Sequence, residues 1–307
     1  FKNCIKLKEV KISTFDTTNV NNMNSMFSNY SSLSSLDISN FELPNVRDLN
    51  YMFEHCNKLT SLSLPKFIGN SLTQMSFMFT DCTELKTVDL SALQANNLAY
   101  MNNAFRNCYS LKEINMNKLK LNSIVGMEGV FQNCYDLSTL NVNFETTNKL
   151  TNIKNMFLNC HSLESINLEK LDTSSVTQMS STFKECRNLK NLKINFDTGD
   201  VINMDSLFDN CISLKELDLS GFNTENVEYM SNMFNNCTSL TSLNVNNFNT
   251  LKVKEINNMF YKCSSLEYLD ISSFNTKNCI KYGAVFDECR KLTLKLDKDK
   301  CSNIFDN

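Results

Sequence analysis

The apolar residues of this 307-residue chain recur in one fixed frame. Each frame begins at a phenylalanine and repeats every 26 residues, with a single step of 25 between Phe183 and Phe208. The frames begin at Phe1, Phe27, Phe53, Phe79, Phe105, Phe131, Phe157, Phe183, Phe208, Phe234, Phe260 and Phe286. A repeat of this regularity predicts a solenoid, because each unit can bury its apolar face only against a neighbouring unit.

The first half of each frame predicts a short β-strand. The sixth residue after the phenylalanine is leucine, and further apolar residues follow at the ninth and eleventh positions, as in Leu214, Leu217 and Leu219. Alternation over the last three of these residues is the period of a strand with one buried face. Strands stacked in register would form a parallel sheet, and parallel pairing requires a crossover in every unit.

The second half of each frame predicts this crossover as a short helix. In one unit it begins with Phe222, Asn223 and Thr224, and Thr and Asn ahead of an apolar run are typical helix N-cap residues. Apolar residues then recur at helical spacing, as in Val227 and Met230. Each coil should therefore contain a strand, a turn, a helix of two to three turns and a return.

The repeat predicts one continuous body over residues 1–307, with about eleven full repeats and a C-terminal remnant at 286–307. At the usual strand spacing, such a stack would be roughly 55 Å long. Gly and Pro number only 6 and 2, which argues against flexible linkers.

Phe144 and Phe196 come one position early and predict local loop adjustments. The chain starts in phase with the repeat, so we expect a fragment of a longer chain. Its charged segment 297–300 predicts a fraying end or a modest cap.

The repeat closely resembles the BspA-like leucine-rich repeats of the DUF285 type, which have 26-residue units. The resemblance is carried by Met233-Phe234-Asn235-Asn236-Cys237-Thr238-Ser239-Leu240 and by Leu217-Asp218-Leu219-Ser220-Gly221-Phe222-Asn223-Thr224. It extends over essentially the whole chain. With the frame, it predicts an α/β repeat solenoid: a leucine-rich-repeat-like right-handed superhelix with one short parallel strand and one short helix per coil. It also implies a cell-surface or extracellular protein that adheres to hosts or matrix, and it brings no catalytic residues.

Composition argues against several functions. The 30 basic and 33 acidic residues form no stripe of one sign, so we expect no nucleic-acid partner. No stretch approaches the length of apolar residues that a transmembrane helix needs, so we expect no membrane insertion within this segment. The only histidines, His55 and His161, lie four units apart, and glycine is too scarce for a phosphate cradle. We therefore expect no enzyme activity and no cofactor.

The 13 cysteines do not have the close paired spacing of a zinc site. Eleven of them share one frame position, and we interpret this column as buried, reduced thiols that act as small hydrophobes. Tyr30 replaces the cysteine in one unit. Cys279 takes the position of the helix valine, and Cys301 is expected to be exposed. The methionine column (Met23, Met75, Met101, Met127, Met179, Met204, Met230) has the helical phase of core residues.

The outward positions of the strands are the candidate binding face, since repeat proteins commonly bind partners on the sheet surface. These positions hold mainly short polar residues. The candidate residues are Asp37, Asp89, Glu113, Glu216, Asp218, Tyr268 and Asp270. Aromatic residues predicted to be exposed on the helical side are Tyr51, Phe77, Tyr100 and Tyr229. Asn29 and Asn236 lie in possible glycan acceptor sequences.

Two functional hypotheses remain. The first is a non-enzymatic adhesion module that presents a repetitive face to a protein or a glycan, where weak contacts repeated along the rod would give avidity. The alternative is an architectural subunit of a filament, sheath or surface layer, in which the partner is another copy of the chain. The sequence does not distinguish between them.

Overall fold

The computed structural model describes residues 3–65, 71–93 and 95–305. The chain divides into two compact units, residues 1–149 and residues 150–307. Each unit is a parallel β-solenoid in which alternate strand positions face outward and the apolar residues between them point into the core. The prediction of a single continuous solenoid stays a prediction.

Unit 1 contains β1 (Ser35–Asp37), β2 (Ser61–Ser63), β3 (Thr87–Asp89), β4 (Glu113–Met116) and β5 (Thr139–Val142). β1 pairs with β2, and β3, β4 and β5 form a three-stranded sheet. Unit 2 contains β6 (Ser165–Leu168), β7 (Asn191–Ile194), β8 (Tyr268–Asp270) and β9 (Thr293–Lys295), which pair as β6–β7 and β8–β9. All pairs are parallel, and equivalent frame positions face each other, as in Ser165 and Asn191.

The predicted helix in each coil is wrong. In the described ranges the only helical elements are α1 (Lys298–Cys301) and a 3₁₀ turn at Ser302–Phe305. The segments that carry the helical spacing are chains of tight turns stacked in parallel. Their backbones touch at single-residue bridges, which run from Asn22 to Gly126 in unit 1 and from Asn152 to Lys281 in unit 2.

Left-handed backbone residues explain why no helix forms. Each turn segment places two residues at positive φ, two positions before and two positions after the repeat phenylalanine, as at Asn232 (58°) and Asn236 (56°) beside Phe234. A right-handed helix cannot accommodate these angles. Alternate N–H groups donate instead to the next coil, as from Phe234 to the Met259 carbonyl at 2.8 Å. The N–H groups between them close four-residue β-turns, as from Met233 to the Met230 carbonyl. The spacing of apolar residues is therefore the spacing of stacked turns.

The Asn-Thr motif is also not a helix cap. The Thr224 hydroxyl donates to the Asn249 carbonyl of the next coil at 3.0 Å and accepts the N–H of Asn249 at 2.7 Å. Thr17 makes the same reciprocal pair with Glu42 in unit 1. The preceding polar residue closes a local turn, as when Asn223 accepts the N–H of Glu225 at 3.1 Å. The threonine thus joins neighbouring coils, and the asparagine shapes the corner.

The core consists of columns of identical side chains. The repeat phenylalanines stack ring on ring within each unit, with centroids 5.2–5.8 Å apart in unit 1. In unit 2, Phe234 stacks on Phe208 at 5.7 Å and on Phe260 at 5.4 Å. The predicted core role of the methionine column is confirmed, because all seven of these residues are buried. Phe144 and Phe196, which come early in their units, are also buried.

The cysteine column is a column of free thiols, and those from Cys56 to Cys263 are buried, as predicted. Thiols of this column also have a polar role, which the sequence analysis missed. Cys237 donates to the carbonyl oxygen of Phe208 in the preceding coil at 3.1 Å, and Cys82, Cys108 and Cys186 do the same in theirs. Burial raises the pKa of the Cys186 thiol to about 12. The column therefore satisfies backbone carbonyls as well as filling space.

The prediction that Cys301 is exposed is wrong. It lies at the end of α1, fully buried, and its thiol donates to the Phe274 carbonyl at 3.3 Å. Asn303 donates to the Thr276 carbonyl at 2.8 Å, and Ile304 is also buried. The sequence predicted either a fraying end or a modest cap here, and residues 298–305 form the cap. The charged residues face solvent while Cys301 and Ile304 cover the preceding coil.

A substitution at Lys262 distinguishes stacked turns from a helix. This exposed residue has φ of 60°. Lys262→Gly should be more stable than Lys262→Val by about 1–2 kcal/mol, because only glycine adopts positive φ without strain. In a helix the order would be reversed. Urea midpoints of the two variants give the comparison, and both lose the same cation–π contact with Tyr261. A valine variant as stable as the glycine variant would contradict the turn geometry.

Candidate binding face

The residues predicted to face outward are accessible, on strands or, for Glu216 and Asp218, on the equivalent segment of a coil that has no strand. Asp37, Asp89 and Glu113 are exposed in unit 1, where they flank buried Leu36, Val88 and Ile114. In unit 2, Glu216, Asp218 and Tyr268 are exposed, and Asp270 is half-buried. The alternating pattern arises because successive strand side chains point to opposite faces of the sheet.

The aspartates on this face also have a structural role. Asp37 accepts the N–H of Ser39 at 2.9 Å, and Asp218 accepts the N–H of Ser220 at 2.9 Å. These hydrogen bonds lower the pKa of both carboxyl groups. The sequence motif Asp-x-Ser is typical of such a turn. Each carboxylate still has an oxygen that is free of this turn bond and could meet a partner.

Asp270 and Tyr268 differ from the rest of the face. Lys295 of the next coil lies 2.8 Å from the Asp270 carboxylate and, with Ser272, lowers the pKa of Asp270 to about 2. Tyr268 is 52% exposed, so most of its ring is available to a partner. A large aromatic side chain held on a rigid strand is a typical interface anchor.

A groove of about 1090 Å³ lies on the outward face of unit 2. It crosses four coils, from β7 to β8, and contains three of the predicted residues: Glu216, Asp218 and Tyr268. Further charged residues in its lining are Lys190, Lys193, Lys215 and Glu267. The sequence analysis did not select these four, because a single frame position does not reveal which coils form a concave surface.

The groove coincides with an interruption of the parallel sheet. Within the described part of unit 2, no backbone hydrogen bond joins residues 216–219 to β7 or to residues 243–245. Leu217 and Leu243 are 8% exposed, whereas Leu269 in β8 is fully buried. The interruption follows the 25-residue unit between Phe183 and Phe208. The 25-residue unit, for which the sequence predicted a local loop adjustment, therefore lies next to this interruption of the sheet.

The histidines lie in separate units and in unlike surroundings. His55 is half-exposed, and its Nδ1 lies 3.1 Å from the Asp81 carboxylate. Partial burial, with a smaller contribution from Arg187, lowers the pKa of His161. In the described ranges no three His, Cys, Asp or Glu side chains are grouped so that they could hold a metal ion. The same residues include no helix long and apolar enough to cross a membrane.

The aromatic residues predicted to be exposed are only partly so. Tyr51 and Phe77 are half-buried and stack at 4.9 Å, so they are a packed pair rather than isolated surface rings. Tyr100 is exposed, and Tyr229 is half-buried beneath Lys254. The sequence analysis missed the exposed pair Tyr109 and Tyr135, which stack at 4.9 Å.

Asn29 and Asn236, in the possible glycan acceptor sequences, belong to a column of hydrogen-bonded side chains. The Asn236 amide donates to the Asn210 side chain at 2.6 Å, and Asn29 donates to Asn3 at 2.8 Å. Both residues occupy positive φ. A glycan would replace one of the two hydrogens of the amide nitrogen that donates this bond. Both asparagines therefore also have a structural role in the turn.

Thiol labelling should single out Cys289 from the column in unit 2. It is half-exposed, and hydrogen bonding with Cys263 lowers its pKa below the ordinary 9.0. Burial raises the pKa of Cys211 and Cys237. A maleimide reagent at pH 8 should therefore modify Cys289 well before those two, because the thiolate is the reactive form. Peptide mapping by mass spectrometry measures the order. Equal labelling of all three would contradict the buried column.

The fold and this face define a repeat protein of the parallel β-solenoid class, with its apolar columns inside and a polar strand surface outside. The chain belongs to the family described as Mycoplasma protein of unknown function, DUF285. The family profile matches residues 1–87, 60–165, 99–215, 151–244 and 203–307, which together span the chain. This membership confirms the resemblance inferred from the repeat. No curated protein matches the chain in sequence.

Several solved structures are similar to the chain. A leucine-rich repeat protein from Bacteroides ovatus is 20% identical over 97% of this chain and 86% of its own, with a TM-score of 0.41. A leucine rich cell surface protein from Faecalibacterium prausnitzii is 16% identical over 93% and 86%, with a TM-score of 0.38. An internalin from Listeria monocytogenes is 17% identical over 87% of each chain, with a TM-score of 0.26. Similarity at this level carries no argument about function.

Proposed function

We propose that this chain is a non-enzymatic protein-binding module that uses the outward strand face of its coils. The observation that carries the proposal is the groove on unit 2, a concave surface whose lining includes Glu216 and Asp218 at the sheet interruption and Tyr268 on β8. The apolar columns pack in the core, and the threonine and cysteine columns form hydrogen bonds between coils. The outward face is the part of the repeat whose side chains can vary without a cost to packing. Adhesion at a cell surface is the specific form of binding that we propose.

A comparison of two double variants tests this use of the face. Thr139→Arg with Ser242→Arg places bulky charges on the outward face of both units, the second of them inside the groove, whereas Thr14→Arg with Ser174→Arg places the same charges on exposed turns. Each immobilised chain is incubated with surface-labelled extract from host and source cells. Proteins retained by the parent and the turn variant, and lost from the strand variant, support the proposal. Equal retention by both variants would refute it.

The proposed location is tested on intact source cells. A membrane-impermeant amine reagent should label lysines of this protein if the solenoid is outside the cell, while a cytoplasmic control protein stays unlabelled. Absence of labelling, with the control equally clean, would exclude adhesion and point to a scaffold inside the cell.

A further inference from the structure

The groove on unit 2 has charges of opposite sign at its two ends. The β7 end presents Lys190 and Lys193, and Lys215 lies on the next coil. Glu216 and Asp218 also lie on that coil, and Glu267 lies at the β8 end beside Tyr268. Lys190 is paired with Glu164 at 3.0 Å, outside the groove. A partner that complements this surface carries acidic groups toward β7 and basic groups toward β8.

The floor of the groove is suited to a polypeptide. Leu217 and Leu243, both slightly exposed, give apolar contact area between the charged ends. The backbone of residues 216–219 makes no hydrogen bond to β7, so this part of the floor does not belong to a paired sheet. Three coil steps of roughly 4.8 Å separate the two ends, a distance that about four or five residues of an extended polypeptide would cover.

We propose, on the basis of the protein-binding function above, that this groove binds an extended polypeptide segment with acidic residues followed by basic residues. The acidic side chains lie over Lys193 and Lys215, and the basic side chains lie over Glu216 and Glu267. The Tyr268 ring covers the apolar side chains between or beside them. Electrostatic complementarity then fixes the direction in which the segment binds.

Two fluorescent peptides of identical composition test the proposal. One has a block of glutamates, a short Ser-Tyr-Ser centre and a block of lysines, and the other alternates the same glutamates and lysines. Fluorescence anisotropy at low salt should show that the block peptide binds the full chain at least about tenfold more tightly. Equal affinity for the two peptides would overturn the proposal, because it would leave only non-specific attraction.

Charge-reversal variants locate the binding site. Lys193→Glu combined with Lys215→Glu should weaken binding of the block peptide roughly tenfold. Lys154→Glu combined with Lys277→Glu is the matched control, with the same change of net charge at exposed positions outside the groove, and it should leave binding unchanged. All four positions are exposed, so the urea midpoint should not move. Loss of binding in the control as large as that in the groove variant would overturn the assignment to this groove.

Two further outcomes separate this proposal from the general function. If the block peptide fails to bind but the strand variant still loses its retained proteins, the groove assignment is wrong and protein binding by the face stands. If a neutral oligosaccharide such as a β-glucan fragment binds, Tyr268→Ala abolishes that binding and neither peptide competes, the groove is a glycan site and the proposal is overturned.

Discussion

Phe234→Ala should lower the free energy of unfolding by about 3–5 kcal/mol. The ring is fully buried and stacks on Phe208 at 5.7 Å and on Phe260 at 5.4 Å. Removing it leaves a cavity between two neighbouring rings, and the stacked backbones on either side cannot close it without breaking their hydrogen bonds. The urea midpoint of the full chain, compared with that of the parent, measures the loss.

Leu251→Ala is the matched control for this substitution. Leu251 is an apolar residue in unit 2, but it is 50% exposed, so its truncation should cost less than about 0.5 kcal/mol. Because Phe234 and Phe260 share a contact, Phe234→Ala and Phe260→Ala together should not be additive. A Phe234 variant that unfolds at the same midpoint as the Leu251 variant would show that the phenylalanine column is not the core.

Thr224→Val should cost about 2 kcal/mol, although it preserves the shape of the side chain. The hydroxyl both donates to the Asn249 carbonyl and accepts the Asn249 N–H, so valine leaves two backbone groups of the next coil without their partner. Buried or partly buried polar groups that lose a hydrogen bond retain their desolvation cost.

Thr224→Ser keeps the hydroxyl and should recover most of this stability. The comparison isolates the hydrogen bonds from the packing, and thermal or urea unfolding of the two variants measures it. If valine is tolerated as well as serine, the reciprocal pair between coils contributes nothing to stability.

Much of the core followed from the frame alone. The columns of Phe, Leu, Met and Cys were predicted to be buried, and between the first and the last coil they are, because in a stack each frame position meets its own copy in the next coil. Parallel pairing of Ser165–Leu168 with Asn191–Ile194 followed for the same reason. The family was also evident from the repeat, because the residues that define the family's sequence pattern are the residues that pack in the core.

The helix prediction failed for a physical reason. Apolar residues three positions apart are compatible both with a helix and with overlapping four-residue β-turns. The sequence pattern does not show the sign of φ, which distinguishes the two. Asparagine, which tolerates the left-handed conformation, frequently occupies the two decisive positions, but Phe77, Lys262 and Glu288 occupy them as well. The hydrogen bonds from one coil to the next stabilise these angles, and such bonds exist only in the stack.

The amino-acid sequence by itself determined the repeat, the buried columns, the outward polar face and the family, since each of these depends on the periodic order of residues. The tertiary structure decided what a single coil cannot specify. It placed Cys301 in the core and made Asp218 the residue that closes a turn. It also brought Lys193, Lys215, Glu216 and Glu267 to one groove. These features depend on how neighbouring coils are placed against one another, which the order of residues within one repeat does not specify.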